Sequence, residues 1–375
     1  MTRKRAVSLI FFVLLACVSV SFGVAAQGQT PAYTVQVIPV EGLPALDFKV
    51  SPDGRFAAVY VGNNAAVLAG VPVIEYTVDP SAIPIRLIDL ATGDEQIRLV
   101  GAADYVADAA FSPDGSRLVV YHRNGEVYVW ELESFTLENQ FTALVGANVI
   151  KLLGDGKTLV VLHGFGTWGE FHVWDLETGH LTAVWRPPLA SFGELPLSDV
   201  MAMGDYNYTA FDVSPEGNTL ALATRNGEVA LWDMTTFEKQ PVRAEDERPL
   251  LFNVRNVRFS ADGKSLVYYD GALESTHIWN IASGSETLVV PVGAVSAALS
   301  PNGEWLAWTT REALQVVRID QPDKVIEIAA DISEDLSLNP VAPVVFTSDN
   351  QLVVGSYFDR GELGYTVLLV INLFD

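Results

Sequence analysis

Apolar and polar positions along this chain alternate in short bursts, and each burst stops at a turn. The stretch from Val106 to Phe141 shows the unit. Val106–Phe111 alternates, Ser112-Pro113-Asp114-Gly115 breaks the run, Leu118–Tyr121 resumes it, and Arg123-Asn124-Gly125-Glu126 breaks it again. Val127–Leu132 then leads past Glu133-Ser134 into Phe135–Phe141. A period of two marks strands, and Asn-Gly or Ser-Pro-Asp-Gly between strands marks tight hairpins. The pattern predicts four short antiparallel strands, and it returns about seven times.

The recurrent break has a mechanical cause. Pro pre-sets the first central φ, Asp or Asn bonds its own backbone two residues on, and Gly takes the left-handed position that closes the turn. Turn centres fall at Asp53, Asp114, Asp155, Glu216, Asp262, Asn302 and Asp349, with spacings of 61, 41, 61, 46, 40 and 47 residues. Four strands at a period of about 40 to 47 residues, with two insertions, indicate propeller blades. The expected fold is all-β: a seven-bladed β-propeller of four-stranded antiparallel blades over residues 33–375. The seventh repeat supplies only three strands before the chain stops at Asp375, and Tyr33–Val40 has no neighbour in sequence. That N-terminal strand is expected to close the last blade and remove an open seam.

The N-terminus reads as a separate object. Arg3, Lys4 and Arg5 precede an apolar run from Val7 to Val20 and a small-residue site at Val24-Ala25-Ala26, the layout of a secretory signal over residues 1–26. Cleavage after Ala26 would make the protein extracytoplasmic, secreted or associated with the cell envelope. Cys17, the one cysteine, ends Leu14-Leu15-Ala16-Cys17, which resembles a bacterial lipoprotein box; lipidation there, or an uncleaved anchor, is the alternative. Net charge is −23, and removing three basic residues and no acid makes it −26, 20 basic against 46 acidic. Such a field repels nucleic acid and anionic lipid.

The third strands end in Trp130-Glu131-Leu132, Trp174-Asp175-Leu176, Trp232-Asp233-Met234 and Trp279-Asn280-Ile281, with Ile88-Asp89-Leu90, Ile319-Asp320 and Ile371-Asn372 as weaker counterparts. Here the chain resembles a WD-repeat β-propeller of the bacterial type, and its turns are similar to those of TolB-like and lactonase-like propellers. The resemblance implies a Gly-His pair ahead of each first strand; the one such pair, Gly179-His180, stands in a different turn. The Trp residues are expected to pack between blades.

Reactive constellations are scarce. Removal of Cys17 leaves no thiol, no nucleophile elbow occurs, and the five histidines (His122, His163, His172, His180 and His277) lack metal-ligand spacing. His122 and His163 end second strands of adjacent blades and are expected near each other on one rim, where a two-His site would serve a metal-assisted hydrolase or lactonase. No resident metal or cofactor is otherwise expected.

The long insertions are more telling. Gly62–Ala82, Pro187–Asp205, Ala244–Phe252, Ala329–Pro340 and Tyr357–Gly364 all fall, by strand direction, on one face. Long loops on a rigid scaffold commonly carry binding. The candidate binding residues are Tyr76, Arg123, His163, Trp168, Phe192, Arg225, Tyr357 and Phe358, with Val73, Ile74, Leu195 and Met201 beside them. The expected function is a non-catalytic, monomeric propeller that binds a protein or peptide through this face. A structural role in envelope assembly is the alternative.

Overall fold

The computed structural model describes residues 18–20, 33–40, 47–60, 85–99, 104–163, 170–185, 208–224, 228–234, 236, 238–243, 254–270, 275–290, 296–310, 313–329, 331–333, 336–338, 343–358 and 365–373. Cys17, Tyr76, Trp168, Phe192 and Arg225 lie outside them, as do the insertions Gly62–Ala82, Pro187–Asp205 and Ala244–Phe252. All regular structure among the described residues is strand.

Two strands, β1 (Val18–Val20) and β2 (Tyr33–Val40), come first and belong to the last blade. Blade 1 holds β3 (Asp47–Val50), β4 (Phe56–Tyr60), β5 (Ile85–Asp89) and β6 (Glu95–Leu99). In blade 2 are β7 (Val106–Phe111), β8 (Arg117–His122), β9 (Glu126–Glu131) and β10 (Thr136–Thr142). Blade 3 has β11 (Ala147–Leu152), β12 (Thr158–His163), β13 (Glu170–Asp175) and β14 (His180–Trp185). Blade 4 follows with β15 (Tyr208–Val213), β16 (Thr219–Thr224), β17 (Val229–Asp233) and β18 (Lys239–Arg243). Blade 5 is β19 (Val254–Phe259), β20 (Ser265–Asp270), β21 (Ser275–Asn280) and β22 (Ser285–Val290). Blade 6 is β23 (Ser296–Leu299), β24 (Trp305–Thr309), β25 (Ala313–Arg318) and β26 (Ile326–Ala329). The last blade takes β27 (Asp331–Ser333), β28 (Leu336–Leu338), β29 (Val344–Ser348), β30 (Gln351–Phe358) and β31 (Tyr365–Leu373).

Blades 1 to 6 pair their four strands antiparallel in chain order, and the last blade runs β29-β30-β31-β2-β1 with the β27–β28 hairpin also on β30. The first strands of blades 1 and 2, 2 and 3, 4 and 5, 5 and 6, and 6 and 7 touch around the axis. The result is the seven-bladed propeller expected from the repeat. Its core is divided into seven apolar clusters, one at each junction between blades. Each sheet is therefore apolar on both faces, which explains second strands buried along most of their length, such as Leu118–His122 and Leu159–His163.

The ring closes through β2. Its eight residues pair with β31 from Tyr33↔Leu373 to Val40↔Thr366, and Ile38 and Val40 pack with Val353, Leu368 and Val370 against Phe48, Val59 and Ile88 of blade 1. Outside β2, Val18↔Val37 to Val20↔Val35 add β1 as a further strand. Two stretches expected as loops are partly strand. β30 outlasts β29, and the β27–β28 hairpin fills the vacated edge with Leu336↔Phe358 and Ser337↔Tyr357, so Tyr357 and Phe358 stand in a paired strand.

The Ser-Pro-Asp-Gly turns work as their chemistry requires. Ser51 Oγ donates to Asp53 Oδ1 and accepts from the Phe56 amide at 2.9 Å; Ser112, Ser260 and Ser300 repeat the arrangement with Asp114, Asp262 and Asn302. These turns also interlock around one face. A Cβ on Gly54 would meet Thr347 at 3.0 Å, one on Gly154 would meet the Pro215 carbonyl at 2.6 Å, and the Asn302 amide donates to Asp349 at 2.9 Å. The acid or amide after each third-strand Trp caps its own following turn: Asp175 accepts from the Thr178 amide and hydroxyl at 2.8 Å, and Glu131, Asp233 and Asn280 accept likewise from Ser134, Thr236 and Ser283. That local use needs no Gly-His partner.

Because the seam depends on Ile38, which is fully buried, Ile38→Ala should lower stability by about 2–5 kcal/mol. The exposed Val325→Ala should change it by under ~0.5 kcal/mol. Urea unfolding followed by tryptophan fluorescence measures both, and equal midpoints would reject the seam.

Candidate binding face and its buried histidines

The face opposite the interlocked turns receives the second-to-third-strand and inter-blade connections. Its best described part lies between blades 2 and 3. The Arg123-Asn124-Gly125-Glu126 hairpin closes with the Gly125 amide donating to the His122 carbonyl at 2.9 Å, and Gly125 sits at φ 89°. A Cβ there would meet the Ala143 carbonyl at 2.7 Å, so glycine lets the hairpin lie against the next connection. The Ala143 amide returns a bond to the Gly125 carbonyl at 2.8 Å. Upon this base Leu144 and Val145 stand 51% and 69% exposed beside the exposed Arg123. Tyr121 Oη donates to the Leu144 carbonyl and fixes the apolar tip from below.

Under the tip lie the histidines, in an arrangement different from the expected one. His122 and His163 do not converge. Tyr121 faces blade 3 and its strand neighbour His122 faces the other way, its Nδ1 3.1 Å from the Asp104 carbonyl and its ring against Tyr128. His163 instead meets Tyr121 edge-on and His172 at 4.4 Å between ring centroids. All three histidines are buried, so none is a solvated rim residue, and His163 offers no exposed binding surface. His172 Nε2 lies 3.1 Å from Glu170 Oε2, while both His163 ring nitrogens and His172 Nδ1 lack a hydrogen bond. Burial, and then the neighbouring His172 ring, push the His163 pKa down to about 4. Burial also lowers that of His122. The described residues hold no group of three or more His, Cys, Asp or Glu side chains placed to bind a metal ion.

The axial channel carries charge that the sequence reading missed. Asp108 takes Lys49 Nζ of the preceding blade at 2.8 Å on one oxygen and the Ile150 amide of the following blade at 2.9 Å on the other. Asp212 repeats this with Lys151 at 2.9 Å and the Phe259 amide at 2.9 Å. Each carboxylate thus ties three blades together. Burial pulls the Lys49 ammonium down but Asp108 and Asp47 lift it above its ordinary value; burial prevails at Lys151, whose pKa falls. Arg258 stays exposed on the same inner ring. The available signal was a polar residue two or four places before the turn Ser or its counterpart, where a buried strand should be apolar.

A second overlooked constellation lies in blade 5. Ser275 Oγ is 2.8 Å from His277 Nε2, and His277 Nδ1 is 2.6 Å from Glu286 Oε2. These are the distances of a nucleophile, base and orienting acid. Ser275 is only 4% exposed and the imidazole lies flat on Tyr268, 5.0 Å between centroids. The trio therefore works here as a cross-strand polar ladder that fixes the His277 tautomer.

Among the candidate residues, then, the structure brings Arg123 to the connection face and buries His163 beneath it. Leu144 and Val145, which the sequence reading passed over, form the exposed apolar element. The signal available for them was the apolar Ala143-Leu144-Val145 run ahead of Gly146, in a stretch expected to be a connection.

The His163 shift has a thermodynamic consequence. A folded-state pKa of about 4 against an ordinary 6.5 means the native state binds fewer protons, so His163 favours folding above pH 6.5. That contribution is lost as pH falls from about 6.5 to about 4, on the order of 3 kcal/mol in all. His163→Phe should flatten the stability–pH curve in this window by that amount, measured by urea unfolding from pH 4 to 8; an unchanged curve would show that the ring is protonated at no cost.

Comparison with known proteins places the repeat in context. Residues 93–131 match the family described as WD domain, G-beta repeat, a window spanning the outer strand of blade 1 and the first three strands of blade 2. An uncharacterized WD repeat-containing protein of Synechocystis sp. is 30% identical over 165 residues, 42% of this chain and 41% of the relative. The chain thus matches less than half the length of that relative. Among solved structures, the β-propeller domain of Cps50 (Swd1) of Myceliophteria thermophila superposes with a TM-score of 0.63 at 13% identity, covering 90% of this chain and 98% of that one. Identity at that level speaks for the fold alone: the chain is a seven-bladed β-propeller, with a WD, G-beta repeat matched across its first and second blades.

Proposed function

We propose that this propeller is a non-catalytic binding platform, monomeric and extracytoplasmic, which engages a protein or peptide through its connection face. The carrying observation is the exposed Leu144–Val145 tip beside Arg123, held by Tyr121 on a rigid two-blade base. An apolar anchor next to an arginine, on a scaffold that loses little freedom when it binds, is the composition of an interface centre. The strand ends that the long insertions join all lie on the same face as this anchor. The WD-repeat match supports the same reading, since propellers present such faces to partners.

A random peptide library selected on the immobilised protein should yield binders that lose about tenfold or more in affinity to Val145→Asp, at least ~1.4 kcal/mol. Asp323→Ala, in a turn of the opposite face, should leave them unchanged. Selected peptides indifferent to Val145→Asp but lost with Asp323→Ala would move the site to the other face.

Export rests on the residues 1–26 pattern, and its cleavage would release β1 from β2. Expressed with its own N-terminus in a bacterial host, the protein should be recovered outside the cytoplasm with Gln27 as first residue. Intact mass measurement decides it, and a full-length cytoplasmic product would reject export.

A further inference from the structure

The outermost strand of each blade has a free edge, and such an edge is a template for another strand unless charge, proline or a cover guards it. Five of the seven outer strands carry charged guards: Glu95 and Arg98 on β6, Glu138 on β10, Lys239 and Arg243 with Pro241 on β18, Glu286 on β22, and Glu327 on β26. The other two are β2, which has no charged residue, and β14, His180-Leu181-Thr182-Ala183-Val184-Trp185, which has none beyond a histidine at its start. β2 is covered where Val18-Ser19-Val20 pairs along it, and once residues 1–26 are removed Pro39 is the guard it keeps. No strand among the described residues covers β14: residues 180–184 are all exposed, with Leu181 at 42% and Val184 at 47%.

From this contrast we infer that the outer edge of β14 is a strand-addition site for an extended segment of another protein, with β-branched residues at alternate positions and basic ends. The chain itself shows the kind of occupant an uncharged edge takes, a short Val-Ser-Val strand in antiparallel register. Main-chain hydrogen bonds would supply the affinity, and Leu181 and Val184 the apolar contacts. A second copy of this chain is disfavoured by its net charge of −23, and the same field favours basic ends on the partner. The site lies on the outer wall of blade 3, apart from the connection face, and stands or falls independently of it.

The probe is a fluorescent peptide, acetyl-Lys-Val-Ser-Val-Ser-Val-Lys-amide, titrated into the full chain and followed by anisotropy and amide hydrogen exchange. Binding is expected to slow exchange in residues 181–185 and to weaken tenfold or more in Leu181→Lys/Val184→Lys, but not in Val325→Lys. Two further peptides, N-methylated at odd or at even positions, separate backbone pairing from side-chain contact: one of the two should lose binding. The inference is overturned if the peptide does not bind, if β14 gains no protection, or if both N-methylated peptides bind like the parent. Concentration-dependent dimerisation abolished by Leu181→Lys/Val184→Lys would assign the edge to a second copy and overturn it equally.

Discussion

A ring of sheets is stable only if its two ends meet, and here that closure is a single strand pairing. β2 enters the last blade from the far end of the sequence, runs the length of β31, and sends Ile38 and Val40 into the junction with blade 1. Every other junction joins blades adjacent in sequence, so its contacts form with modest loop closure. The seam instead brings together residues more than 300 positions apart, and contacts of such separation form only after the entropy of closing the loop has been met. Without it, blades 7 and 1 would each present an apolar face to water, β31 would be left with an unpaired edge, and the cluster at the seam would lose Ile38 and Val40.

The inner ring reinforces closure by a different means. Apolar packing between blades is non-directional and leaves the rotation of each blade loosely set. Asp108 and Asp212 set it, because each accepts from an amide of the next blade and a lysine of the preceding one. Ser296 joins blades 6 and 7 through the Val344 amide at 3.1 Å. A hydrogen bond between buried partners adds little net energy yet is costly to leave unmade, and so fixes geometry more than it adds stability. The connections of the face opposite the interlocked turns inherit that fixed geometry.

How much of this could be read from the chain follows from where each signal lives. Turn chemistry and period-two alternation are local, and they located the blades; the three-strand deficit of the last repeat located the seam. Side-chain orientation across blades is not local. His122 and His163 occupy equivalent sequence positions, yet the chemistry of each depends on which blade its face meets, and the neighbour differs: Asp104 and Tyr128 for one, Tyr121 and His172 for the other. The Ser275–His277–Glu286 ladder lies within blade 5 and was hidden for another reason: Glu286 reaches His277 only across a bulged strand pair. Tyr357 and Phe358 were read as loop because nothing in their own stretch announces the β27–β28 hairpin that pairs with them.

The asymmetry between faces has its own physical origin. On the turn face, Gly54 lies against Thr347, Gly115 against Asp53, Gly156 against Ser112, and Gly154 against Pro215, each turn wedged on the turn of an adjoining blade. An inserted residue there would have to displace the neighbouring turn, backbone at Gly54 and Gly154 and side chains at Gly115 and Gly156, and would strain the junction. The opposite face has no comparable girdle among the described residues; its connections span between blades and can lengthen outward, where added loop length costs only about 0.6 kcal/mol per doubling. Variation therefore accumulates on the one face that tolerates it, and that face also carries the exposed Leu144 and Val145. The interlocked turns thus confine added loop length to the opposite side, by making their own side too tightly packed to lengthen.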